Sequence, residues 1–139
     1  VRGKLKSHAT EFTLEDSMLT IDVESQGELS VVECKGRIVC EDAVFRLRDI
    51  VQDQAAARVI VLDLSEVEAI SGGGVGMLAV LDGWARDREI QFKLFSPSTA
   101  VVEGLVNNRA LLDFEIASFH EMMRIFMQQE DDGRRALAA

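Results

Sequence analysis

Histidine, cysteine and positive charge are all scarce in this 139-residue chain, and each shortage removes a class of function. There are two histidines. His8 lies in a polar, aperiodic stretch and His120 in the first turn of a helical segment. Neither lies near a serine or cysteine that looks activated, so a nucleophilic triad has no visible base. The two cysteines, Cys34 and Cys40, form no CxxC pair and no metal-type spacing. Cys34 sits in an apolar run, where a buried reduced thiol is expected. Lys and Arg total 15 against 24 Asp and Glu, a net charge of -9. Surfaces for nucleic acid or anionic membranes need the opposite excess, whereas a complementary protein partner would carry a basic patch. No apolar run reaches the roughly 18 to 20 residues of a membrane span. The opening VRGKLKSHATEF has no apolar core, so it is not a signal peptide, and a cytoplasmic setting is the default expectation. The first residue is Val rather than Met, which leaves processing or a cut boundary open.

The chain has enough apolar content for a real core. Hydrophobic residues make up 47% and charged residues 28%, a globular mix on a length that suits one domain. No internal repeat or linker divides it. Residues 1–17 read as a loose arm, 18–128 as the domain and 129–139 as a polar tail that frays. Leu19, Ile21 and Val23 alternate with polar residues, which predicts a strand with one wet face. Gln26 and Gly27 suit a turn, and 27–39 a second strand interrupted at Gly36. The segment 41–56 is an amphipathic helix with Ala43, Val44, Leu47, Ile50 and Val51 inward. RVIVLDL, 58–64, fits a central strand covered on both faces. A helix over 73–87 buries Met77, Leu78, Leu81 and Trp84. Ile90–Phe95 is a strand. Ser96 and Pro97 then cap a helix whose inner side is Val101, Val102, Leu105 and Val106. Residues 111–117 form a short edge strand. Ser118 and Glu121 make a capping box, followed by a helix with Phe119, Met122, Met123 and Phe126 inward. The order β-β-α-β-α-β-α-β-α predicts an α/β domain, a small mixed sheet with parallel pairs packed with about four helices.

The stretch ISGGGVGM, 70–77, raises the functional question. Ser71 is placed to cap the following helix, whose first amides favour an anion. The spacing matches neither a phosphate-binding GxxxxGK loop nor the dinucleotide GxGxxG fingerprint. Ser65 reads as a turn residue after the strand. Asp63 with Glu66 or Glu68 makes a weak acid/base pair, since carboxylates at strand ends are common in α/β proteins. No catalytic residue, metal ligand or cofactor is assigned. A small-anion or nucleotide sensor using the amides after Ser71 is the alternative from another class.

DLSEVEAISGGGVGML, 63–78, resembles the signature of STAS domains, whose pattern runs roughly D-L-S-x-V-x-x-I-D-S-S-G-L-G-x-L. Asp63, Leu64, Ser65, Val67, Ile70, Gly74, Gly76 and Leu78 fall on it without a gap. VVECKGRI and the segment 96–126 look like the family's second strand and its third helix, last strand and last helix. The resemblance implies a small mixed sheet packed with helices and a non-enzymatic role. In the bacterial anti-sigma factor antagonist branch, a serine at the start of the second helix is phosphorylated by an anti-sigma factor that is itself a kinase. That serine's place is taken here by Gly72, and Ser71 replaces the aspartate before it. The family's G-E-L-D is altered too, with Gly36 kept and Val39 where Asp is common. The resemblance therefore implies a regulator of a serine-kinase partner switch without the usual phosphorylation, or a STAS subunit of a transport or other signalling assembly. Ser71 is the remaining hydroxyl for phosphorylation. The expected docking face comprises Ser71, Gly72, Gly73, Gly74, Val75 and Met77, and a homodimer is left open.

Overall fold

The computed structural model describes residues 8–14 and 17–138. Six strands and four helices follow in the order β1 (His8–Leu14), β2 (Ser17–Gln26), β3 (Leu29–Ile38), α1 (Glu41–Gln52), β4 (Val59–Ile70), α2 (Gly72–Asp87), β5 (Gln91–Phe95), α3 (Thr99–Asn107), β6 (Glu115–Ala117) and α4 (Phe119–Ala138). A short 3₁₀ turn, Leu111–Asp113, precedes β6. The strands lie in one sheet in sequence order. β1, β2 and β3 pair antiparallel, and β3 to β6 pair parallel. This is the expected α/β fold with a mixed sheet and four helices.

The topology decides which face each helix covers. Three successive crossovers join parallel neighbours while the sheet advances in one direction. Right-handed connections then place α1, α2 and α3 on one face. Their buried residues, including Leu47, Leu78, Leu81 and Leu105, meet Ile21, Val32, Cys34, Ile60, Leu62 and Leu94 in the main core. Cys34 is a free, buried thiol, as expected, and burial with nearby Asp63 and Glu33 pushes it far up from the ordinary thiol value. The other face belongs to α4, where Met122, Ile125 and Phe126 pack on Leu29, Val31, Val61 and Phe95.

Several expectations are corrected. The loose arm over 1–17 contains a strand, because His8–Leu14 pairs with 17–23; residues 1–7 and 15–16 lie outside the described residues. Helix α4 runs through most of the expected tail, and residue 139 lies outside the described set. The central strand continues past Leu64 to Ile70. Ser65 does not end it: Asp63 Oδ1 accepts from the Ser65 amide at 3.0 Å and its hydroxyl at 2.8 Å, and the register against β3 shifts there. A local side-chain turn thus produces a bulge instead of a reversal. Ser96 has a positive φ of 52°, unsuited to a helix cap. Ser98 caps α3 instead, accepting from the Val101 amide at 3.2 Å and donating to the Val67 carbonyl at 2.7 Å. Within α3, Val101 and Leu105 are buried but Val106 is exposed. The capping box holds, with Glu121 N–H donating to Ser118 Oγ and Ser118 N–H to Glu121 Oε1. Phe119 and Met123, however, point to solvent, because Met122 and Ile125 fix the inner side of α4 a quarter turn away.

Charge is distributed unevenly on the α4 face. Lys93 of β5 is buried, and its Nζ donates to Glu115 at 2.8 Å and Glu121 at 3.5 Å. Burial alone would lower its pKa, but the hydrogen bond to Glu115 and the charges of Glu115 and Glu121 hold it above the ordinary value. Further along the face, Asp22, Glu33 and Asp63 stand side by side on β2, β3 and β4. Partial burial first, then the charges of Asp63, Glu24 and Asp22, push the Glu33 carboxyl up against the pull of Lys35. A carboxyl with a raised folded pKa binds its proton more tightly folded than unfolded. Stability is therefore lost as pH rises from the unfolded value of 4.5 through the folded one. Glu33→Gln should raise the thermal midpoint at pH 7, and the gain should vanish below about pH 4, where glutamate is protonated anyway. Melting curves across that range check both signs.

Candidate functional site

The start of α2 is anchored at the end of β4. The Ser71 amide donates to the Ile38 carbonyl at 3.0 Å, closing the β4 end against β3. Ser71 itself is extended (φ -90°, ψ 170°), and its Oγ accepts from the Gly74 amide at 3.0 Å. The hydroxyl is thus committed to the helix cap that the sequence predicts. The amides of Gly72 and Gly73 have no acceptor within the helix, and no acidic residue lies in the first turn.

The glycines at this end differ in kind. A Cβ on Gly74 would sit 2.7 Å from Ile70 Cγ1 and 2.9 Å from the Ile38 carbonyl oxygen, so the close approach of α2 to the sheet requires glycine. A Cβ on Gly72 would meet Asn108 Oδ1 at an ordinary 3.5 Å, and one on Gly76 would meet nothing within 4 Å. Gly72, Gly73 and Gly76 are exposed, and Val80, one turn further, is 54% exposed. Together they form a small-residue strip along the outer side of α2.

The six expected docking residues therefore divide. Ser71, Gly72 and Gly73 border solvent. Gly74, Val75 and Met77 are buried, the last two in the main core. Val75 and Met77 are corrected as surface candidates: the helix phase set by Gly74, Leu78 and Leu81 turns them inward. Asn108 is the neighbour that sequence reasoning missed. Its Nδ2 donates to the Gly104 carbonyl at the end of α3, and its Oδ1 stands closest to Gly72. An asparagine in a loop gives no sequence signal for such a contact.

No acid/base machinery gathers at Ser71. His120 is exposed on α4, and Asp63 lies on the α4 face of the sheet with its carboxylate bonded to Ser65. Cys40 caps α1, its Sγ accepting from the Ala43 amide at 3.4 Å. Among the described residues, no group of three or more His, Cys, Asp and Glu could hold a metal ion. No described helix is long and apolar enough to cross a membrane.

The comparisons with known proteins agree with the fold. The family model for the STAS domain matches residues 20–131. The anti-sigma factor antagonist SpoIIAA in its unphosphorylated form shares the fold with a TM-score of 0.60 and 14% identity, over 87% of this chain and 97% of that one. An anti-sigma factor antagonist from Mycobacterium paratuberculosis gives a TM-score of 0.65 and 20% identity, over 82% and 97% of the two chains. SLC26A9 gives 0.61 and 14% identity over 94% of this chain, which spans only 25% of that protein. No curated protein matches in sequence.

The packing at α2 yields a paired prediction. Gly74→Ala should destabilise the fold by about 1 to 3 kcal/mol, the usual cost of overpacking. Gly76→Ala should stabilise it by up to about 1 kcal/mol, the propensity difference in open space. Ser71→Ala should cost about 1 kcal/mol through loss of the cap. Urea denaturation of the three variants checks the order; equal midpoints for the two glycine variants would contradict the packing.

Proposed function

Because the chain belongs to the STAS domain family, we propose that it is a non-enzymatic protein-binding regulator, resembling anti-sigma factor antagonists, whose partner is an anti-sigma factor of the serine-kinase type. The observation that carries this reading is the outer strip of α2. Gly72, Gly73 and Gly76 face solvent, and none of the three is required by packing. A glycine within a helix costs about 1 kcal/mol relative to alanine. That cost has a use where another backbone must approach closely. The proposed docking face is therefore Ser71, Gly72, Gly73 and Gly76, extended by Val80 and by Val106 of α3. It revises the expected set by exchanging the buried Gly74, Val75 and Met77 for exposed neighbours.

The same residues support the absence of the usual switch. Both serines of the D-S-S-G pattern are replaced, by Gly72 and Gly73, and neither has a hydroxyl. Ser71 retains one, but its oxygen already serves the Gly74 amide. A phosphate there would have to displace the cap. On this reading the chain docks in one permanent state. The likeness to SLC26A9 supports a second reading, in which the domain serves a transport assembly; the docking strip would then meet another part of that assembly.

The test is binding to a purified serine-kinase anti-sigma factor from the same source, measured by calorimetry. The native chain should bind and accept no phosphate from ATP. Gly72→Glu should keep its melting temperature, since its side chain has room and suits a helix N-terminus, yet bind at least about tenfold more weakly. Gly72→Ser or Gly73→Ser should become phosphorylatable. Undiminished binding by Gly72→Glu rejects the docking strip. A rise in melting temperature with ATP, GTP or inorganic phosphate alone would favour the sensor alternative.

A further inference from the structure

Among the described residues, the second face of the sheet is only half covered. Helix α4 starts beyond β6 and passes the β2–β3 turn at its middle, where Gln129 Oε1 accepts from the Glu28 amide, before running on to Ala138. One flank of α4, with Glu121, Arg124 and Gln128, closes over Lys93 and Gln91 around a cavity of about 310 Å³. The opposite flank carries Phe119, Met123 and Met127, which are 70%, 43% and 59% exposed. Their spacing of four residues makes them one stripe. Phe126, at the stripe's inner edge, belongs to the same second-face cluster as Val31 and Phe95. The stripe therefore borders the open part of the sheet over β2 and β3.

That open part is acidic. Asp22, Glu33, Asp63 and Phe95 form one row across four strands by register. The row begins with three carboxylates and ends in Phe95, which packs in the same cluster as Phe126. Like charges directly opposite one another destabilise a sheet. Lys35 is the nearby cation, and it also pairs with Glu66 at 4.0 Å. A metal ion does not answer the charge, since no described group can hold one.

We propose that this open half-face is a second docking surface, which takes a basic amphipathic helix. The helix would lay its apolar side on Phe119, Met123 and Phe126 and its Lys or Arg side chains over Asp22, Glu33 and Asp63. Charge complementarity selects this occupant. A second copy of the chain would bring two such carboxylate rows together, on molecules each carrying a net charge of -9. An anionic surface is repelled for the same reason. An amphipathic helix in a groove satisfies both features at once: apolar contacts from residues one turn apart, and cations on its flanks. The surface lies on the opposite side of the sheet from α2, so this inference stands independently of the docking strip there.

The probe is a fluorescein-labelled Lys/Leu peptide of about 18 residues, five helical turns, patterned to be amphipathic. A shuffled peptide of identical composition is the control. Binding to the whole chain is followed by anisotropy at two salt concentrations and mapped by amide shifts in ¹⁵N spectra. The patterned peptide should bind at least about tenfold more tightly than the shuffled one, with shifts concentrated in β2, β3 and α4. Met123→Glu and the pair Asp22→Asn with Glu33→Gln should each weaken it about tenfold, the latter also flattening the salt dependence. These are surface or partly exposed changes, and their melting curves verify folding. Gly72→Glu should leave peptide binding unchanged. Equal binding of the shuffled peptide, shifts at α2, or insensitivity to the α4 and carboxylate variants would overturn the proposal. So would a dimer in sedimentation that Met123→Glu dissociates.

Discussion

The close contact at Ile70 sets the arrangement on which the α2 site depends. A Cβ on Gly74 would fall 2.7 Å from one of its γ carbons, and a Cβ on Gly104 would fall 2.7 Å from the other. One branched side chain at the end of β4 thus fits into glycine notches on two different helices. The Ile38 carbonyl, which accepts from Ser71, fixes the same corner from β3. These contacts bring α2 and α3 onto the sheet at a defined height. That height puts the end of α3, with Asn108, beside Gly72. A larger residue at either notch would lift a helix and separate the two.

Strand order governs the remainder. A sheet that advances in sequence order with right-handed crossovers stacks three helices on one side. It leaves the other side to whatever follows the last strand. Among the described residues helix α4 alone covers that side, and one helix about 10 Å wide cannot shield six strands spaced roughly 5 Å apart. The hydrophobic residues of the second face accordingly gather under α4, at Leu29, Val61 and Ala117, while Glu33 and Asp63, further along β3 and β4, and Asp22 of β2 present acids. The buried Lys93 fits the same division. It lies beneath the helix, and its charge is met by carboxylates from β6 and α4.

Much of this was legible in the sequence because periodicity reports burial. The alternation of Leu19, Ile21 and Val23, the stripe of α1 and the unbroken run at β4 all fall where their patterns put them. The Ser118–Glu121 box and the Ser71 cap were legible because a cap needs a particular side chain at a particular spacing. What failed shares a cause. At Ser65 and Ser96, a local hydrogen bond or backbone angle decides the structure, and a serine looks the same in a turn, a bulge or a cap. In α4, the apolar residues span more of the circumference than one contact face, so composition could not choose between Met122 and Met123. For α2, the periodicity put Met77 inward with Leu78 and Leu81, where it lies; its place on the docking face, with Val75, rested only on nearness to Ser71 and failed for that reason.

The two surfaces proposed for binding share a physical feature absent from the main core: each forgoes stability that the fold could have had. On α2, three glycines occupy helical positions where the surroundings leave room for a side chain. On the second face, partial burial and then the neighbouring carboxylates raise the pKa of Glu33. Neither is explained by packing, since both lie where packing makes the fewest demands. A helix without side chains lets another backbone come close, and a row of carboxylates beside an exposed aromatic stripe lowers its electrostatic energy when cations cover it. Local costs that the fold does not need are most simply understood as contributions recovered on contact with a partner. The two faces differ in what they would select. The glycine strip selects by shape and proximity, and the acidic half-face by charge and amphipathic pattern. A single partner meeting both would have to wrap around the edge of the sheet, so two separate segments or two separate partners are the simpler expectation.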